Sequence, residues 1–211
     1  MKGILIVEVY DGKLLSKLET ESRSFVQNLA KVLASAFSAV GGEAGGVSGV
    51  QRSTTVTDYN GLERTVWTHW YSGDVINGGG VFLAMNADAG VDSYGILVGS
   101  GSTPVSYNDY NLALKISHGT GAGQLTYQSH STSSSFSSTS SYVEINRTFV
   151  NNSGSTVTVR EVGLMARAYW KDVNAVRQDE KYLVARDVLP APVDVPNLAT
   201  LVVRYRVGLT L

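Results

Sequence analysis

Cysteine is missing from the 211 residues. That excludes a disulfide framework, a thiolate zinc site and a cysteine nucleophile, and leaves the redox compartment open. Charge is scarce and balanced, with 17 basic against 18 acidic side chains and a net charge of -1. No strong field is therefore available to steer nucleic acid or an anionic membrane toward the surface, and neither is expected as a specific partner. Long apolar runs are lacking as well. Ile4-Leu5-Ile6-Val7 is cut by Glu8, too short for a signal-peptide core, and no later stretch approaches the eighteen or so apolar residues of a membrane-spanning helix. The chain is expected to fold in a cytoplasm. Proline occurs only 4 times, which with the apolar content argues against a disordered or collagenous chain.

What is present is a globular composition: 43% hydrophobic residues and 22 glycines. A chain of this length buries roughly 70% of its unfolded surface and needs no staple. It divides into a hairpin, helix and glycine-rich arm over 1–49 and a β-rich remainder over 50–211, expected together as one compact domain.

Residues 4–10 are β-branched and aromatic in bias, Asp11-Gly12 is a two-residue hairpin signal, and Lys13 to Leu18 returns as a second strand. Ser24 followed by Gln27 reads as a capping box. Phe25, Leu29, Val32, Leu33, Ala36 and Val40 then recur at helical spacing before Gly41-Gly42, predicting an amphipathic helix over about 24–40. Its apolar stripe packs either on the chain's own sheet or on a neighbouring subunit. Five of the nine residues over 41–49 are glycine, a flexible loop.

Strands are expected at 51–57 and 63–71 around Asn60-Gly61, and at 81–85, 96–98, 142–150, 156–164, 182–189 and 201–211. The apolar phase changes near Arg160-Glu161, which predicts a bulge. Pro190, Pro192 and Pro196 cannot donate to a ladder and belong at an edge or crossover. Residues 93–141 hold only two formal charges, Asp109 and Lys115, in forty-nine positions. Within that stretch Ser131 to Ser141 is all serine and threonine apart from Phe136, an exposed loop or edge strand. The whole reads as a mainly β chain, an antiparallel β-sandwich or jelly roll with one N-terminal amphipathic helix.

Catalytic motifs are weak. Gly99-Ser-Gly101-Ser-Thr-Pro104 lacks the lysine and helix start of a phosphate loop and reads as a tight turn. His69, His118 and His130 have no paired ligand spacing. Asp88 and Asp92, or Asp172, Asp179 and Glu180, offer carboxylates without a defining pattern. Trp67-Thr-His-Trp70-Tyr71 is the segment best suited to stack on a sugar ring, although strand alternation splits it between two faces, so that part of it serves the core. Trp67, Trp70 and Tyr71 are the candidate ligand-binding residues. Phe25, Leu29, Val32 and Phe136 are the candidate interface residues. No catalytic residue, cofactor or metal is assigned.

Three stretches are familiar in combination: Ser22 to Leu29, Ser93 to Pro104, and Val157 to Leu164 followed by Leu183 to Leu189. Together they resemble structural proteins of prokaryotic viruses, chiefly tailed phages, over about half the chain. The resemblance implies a non-enzymatic, β-rich virion component, capsid- or tail-associated, that forms homo-oligomers and docks on other virion proteins. The alternative is a carbohydrate-binding or host-adhesion module that meets a glycan or surface receptor.

Overall fold

A computed structural model describes residues 2–22, 24–37, 52–69, 81–138, 140–171 and 177–210. Eleven strands and one helix lie in these residues: β1 (Lys2–Asp11), β2 (Lys13–Ser22), α1 (Gln27–Phe37), β3 (Arg52–Thr57), β4 (Glu63–His69), β5 (Val81–Ala84), β6 (Gly95–Gly99), β7 (Thr126–Phe136), β8 (Ser140–Val150), β9 (Val157–Lys171), β10 (Arg177–Val195) and β11 (Thr200–Thr210). The chain is mainly β, and its strand pairings are antiparallel.

One sheet has the order β2-β1-β11-β8-β7. A second places β9 between β10 and the pair β5 and β6, and β3 with β4 forms a separate hairpin. The first sheet is organised by strict alternation. Leu5, Val7 and Val9 stand opposite Tyr205, Val203 and Leu201, and all six are buried. The other face carries Glu8, Arg204, Glu144 and Arg206, linked by ion pairs across β1, β11 and β8. Each aliphatic side chain fully buried on the inner face is worth about 1.5–3 kcal/mol relative to an exposed one. Both sheets, the hairpin and α1 contribute to one buried apolar cluster.

The N-terminal hairpin forms as expected, turning at Gly12 with φ of 65°, but its arms are longer than the apolar pattern suggests. The β3–β4 turn likewise uses Gly61, at φ of 82°. In that turn the buried Asp58 carboxylate accepts the N–H groups of Asn60 and Leu62 and the Arg64 side chain.

The helix begins three residues later than the capping box implies. Ser24, Phe25 and Val26 run extended beside β10: the Ser24 carbonyl accepts from Arg186 N, Phe25 bridges Ala185, and Val26 N donates to the Val184 carbonyl. The Ser24 hydroxyl is engaged by Asp187, so it does not cap. The Gly-rich 41–49 segment and the predicted helix end near Val40 lie outside the described residues.

One strand expectation is corrected in part. The ladder does slip beside Arg160, but the extra residues lie on β10 and not on β9. Its apolar phase is lost because residues 161–166 are buried on both faces. The irregularities lie in the partner strand, where Val184 is extra and where Leu189 to Pro192 slip past β9 between Val188 and Val193. Pro190 and Pro192 do sit on an edge strand, β10, where the missing N–H costs no ladder bond, and Pro196 directly follows its end.

Candidate functional site

Gly101 of the Gly99–Pro104 loop and residues 113–114 together form a cradle of N–H donors, and the chain fills it with its own carboxylate. Glu161, fully buried on β9, accepts from the N–H groups of Leu114 at 2.8 Å, Ala113 at 3.1 Å and Gly101 at 3.2 Å. Arg186 on β10 completes the cluster: Nε donates to Glu161 at 2.7 Å, and its terminal nitrogens donate to Asp109 at 2.8 Å and the Thr103 carbonyl at 2.9 Å. A Cβ on Gly99 or Gly101 would lie 2.5 Å from Glu161 Oε1, which explains both glycines. The loop is therefore pinned, and its donors are spent internally.

A second buried cation holds the segment before β6. Arg147 on β8 lies over the Tyr127 ring at 4.7 Å and donates to the carbonyls of Gln128, Asp88, Val91 and Ile96. Burial pulls its guanidinium down to about 10, still charged at neutral pH. His130 on β7 works beside it. Nε2 accepts from the Ile96 N–H at 2.7 Å, which places the ring proton on Nδ1, 3.1 Å from the Ala87 carbonyl. Burial first, then the Arg147 charge, push His130 down to about 4, so the ring is a neutral structural strut. Gly95, at φ of 85°, gives the ring room.

The third buried group is Asp187, which accepts from Tyr205 at 2.7 Å and Ser22 at 2.9 Å. This joins β10 to β11 and β2 of the other sheet. Burial raises its carboxyl above the ordinary value, and the hydroxyl bonds oppose the shift only in part.

The sequence-predicted residues fall in different places. Trp67 lies on β4, opposite Ser53, while Trp70 and Tyr71 lie outside the described residues. Leu29 and Val32 are buried, with α1 packed on β3, β4 and β10 of its own chain, and Phe25 is packed against the same core. These three thus face inward, because the stripe finds its partner surface intramolecularly. Phe136 is 76% exposed at the end of β7. Asp92 pairs with Lys115, Asp179 with Arg167 and Lys181, and Glu180 with Arg64, while Asp172 lies outside the described residues. The His118 ring accepts from Tyr127 N, and the His118 backbone N–H donates to Asp92. Among the described residues no three His, Asp or Glu side chains converge as metal ligands, and no helix is long and apolar enough to cross a membrane.

Two surface features were not legible in the sequence. Tyr59, Tyr107 and Tyr110 are all exposed where the 103–114 loop lies against the β3–β4 turn. Asn111 donates to the Tyr59 carbonyl at 3.1 Å, Gln27 N to the Tyr107 carbonyl at 3.0 Å, and the Tyr110 ring rests on Gly61. The other is a groove of about 380 Å³ between β2 and the proline segment, lined by Leu15, Leu18, Pro192, Val193 and Pro196 among others. Comparison with known protein families, with curated proteins and with solved structures gives no match.

Proposed function

We propose that the chain is a non-enzymatic virion structural protein of a prokaryotic virus, a β-sandwich that self-associates or docks on other virion proteins in a capsid or tail. The observation that carries this reading is how the buried charge is used. Glu161, Arg186, Arg147 and His130 are directed at the chain's own loops, where they hold the backbone of 87–114 in one shape. Such investment in rigid loops suits a part that works through shape and interface burial, with roughly 800 Å² per partner for a stable contact. The sequence resemblance points the same way, and so does the long uncharged edge of β7. The test is immunogold labelling with antibodies against this chain. Decoration of intact virus particles supports the reading, and label confined to unassembled host lysate contradicts it.

A second reading, glycan or host adhesion, is favoured by the exposed tyrosines. Tyr59, Tyr107 and Tyr110 stand beside Asn111 on a pinned loop, the mix of ring faces and amides that holds sugars. Glycan-array binding that disappears in Tyr107→Ala and Tyr110→Ala, with unchanged melting temperature, supports this second function. An array silent for the unaltered protein removes it.

A further inference from the structure

The first sheet ends in two strands whose exposed edges are built differently. On β2 the exposed residues include Lys13, Lys17, Glu19 and Glu21, the charges with which proteins discourage strand addition. On β7 there is no Lys, Arg, Asp or Glu from Thr126 to Phe136.

The outer side of β7 is covered only in its first half. There Gly90 N donates to the Tyr127 carbonyl, Ala89 N to Ser129 Oγ, and His130 N to the Ala87 carbonyl. From Ser131 onward no described strand pairs with it, and Ser131 to Ser134 and Phe136 are exposed. Val143, across from Ser134, is exposed as well, so the end of this edge also presents apolar surface.

We infer that Ser131–Phe136 is a self-pairing edge, occupied by the same segment of a second copy in antiparallel register, so that two five-stranded sheets join across a two-fold axis. This deepens the proposed assembly role and rests on it. Self-pairing is what the composition fits. An uncharged serine and threonine strand meets its own copy without like-charge repulsion, and cross-strand hydroxyl pairs are favourable. A charged partner strand would find no complement there. A two-fold perpendicular to the sheet keeps the inner faces on one side, so both Phe136 rings lie on the same surface. Six residues of edge bury less than the roughly 800 Å² per partner of a stable complex. The pairing is accordingly concentration-dependent in free protein and held by symmetry in an assembly.

The absence of native cysteine makes the test clean. Single variants Thr132→Cys, Ser133→Cys, Ser134→Cys and Ser135→Cys, oxidised at high protein concentration, should give a disulfide-linked dimer that peaks at one position. Opposed antiparallel residues lie about 4.5–5.5 Å apart, within disulfide reach. Ser16→Cys on β2 is the control and should remain largely monomeric. In sedimentation, Thr132→Lys with Ser134→Lys should abolish concentration-dependent association, with the circular dichroism spectrum unchanged. Equal trapping on both edges, no trapping on β7, or association that survives the two lysines each overturns the inference. Particles that carry the chain without β7 cross-links would remove the edge and keep the virion reading. Cross-linked dimers of a chain missing from particles would do the reverse.

Discussion

Glu161 on β9 and Arg186 on β10 form an ion pair of 2.7 Å with both side chains almost fully withdrawn from solvent, and between them they bind backbone at Gly101, Thr103, Ala113 and Leu114. The pair joins two neighbouring antiparallel strands to the loop packed against them.

Removing Glu161 leaves Arg186 only Asp109 and the Thr103 carbonyl and strands the N–H groups of Gly101, Ala113 and Leu114, which costs about 3–5 kcal/mol. Glu161→Ala is therefore expected to lower the denaturant midpoint by a large fraction of total stability, and to raise proteolytic cleavage and amide exchange selectively over 99–114. A uniform loss of protection across the chain, with 99–114 no worse than β1, would contradict this role.

Arg147 makes bonds to carbonyls on both sides of a planar fork, a geometry that an ammonium cannot copy. Arg147→Lys should therefore destabilise nearly as much as Arg147→Met, by about 3 kcal/mol or more. Thermal unfolding of the two variants side by side checks it, and a lysine variant close to the unaltered protein would refute the fork argument.

His130 sets an acid limit on stability. Its folded value, about 4, lies below the ordinary 6.5, so below pH 6.5 the unfolded chain takes up a proton that the folded chain refuses. The contribution is complete above about pH 6.5 and is lost as pH falls toward 4, on the order of 3 kcal/mol in all. His130→Asn should flatten the stability curve between those limits, measured by urea unfolding at several pH values. An unchanged slope would place the proton uptake elsewhere.

Asp187 acts with the opposite sign. Its folded value is raised, so its contribution is present when the carboxyl is protonated and is lost as pH rises through that value. Asp187→Asn keeps an acceptor for Tyr205 and Ser22 without the charge, so its melting temperature relative to the unaltered protein should be higher at pH 7 than at pH 3.5. A difference independent of pH would mean that the folded carboxyl titrates at its ordinary value.

Gly95 is a constrained backbone position. Its φ is 85°, and a Cβ would lie 2.2 Å from His130 Cε1. Gly95→Ala should cost about 1–3 kcal/mol, read from thermal unfolding, and a neutral effect would show that the ring can move aside.

The sequence carried the strands well where one face alone is buried. Leu5, Val7 and Val9, or Leu201, Val203 and Tyr205, alternate cleanly, and Asp11-Gly12 and Asn60-Gly61 mark their turns. It was less specific where both faces are buried, as in β9, because alternation disappears there and leaves open which strand of the slipped ladder beside Arg160 carries the extra residues. The functional polar groups were harder still. Arg147 sits in phase with the inward Phe149, a visible signal, but its partners are carbonyls twenty to sixty residues away that leave no trace in side-chain pattern. The same holds for Glu161, whose ligands are backbone N–H groups, and for the tyrosines brought together by two loops.

The most direct measurement of the central claim is light scattering on the purified protein as it leaves a sizing column, with negative-stain imaging of each peak. The account predicts a shift from monomer to an oligomer of defined mass as concentration rises. A monomer at every concentration would contradict self-association and leave only docking on other virion proteins.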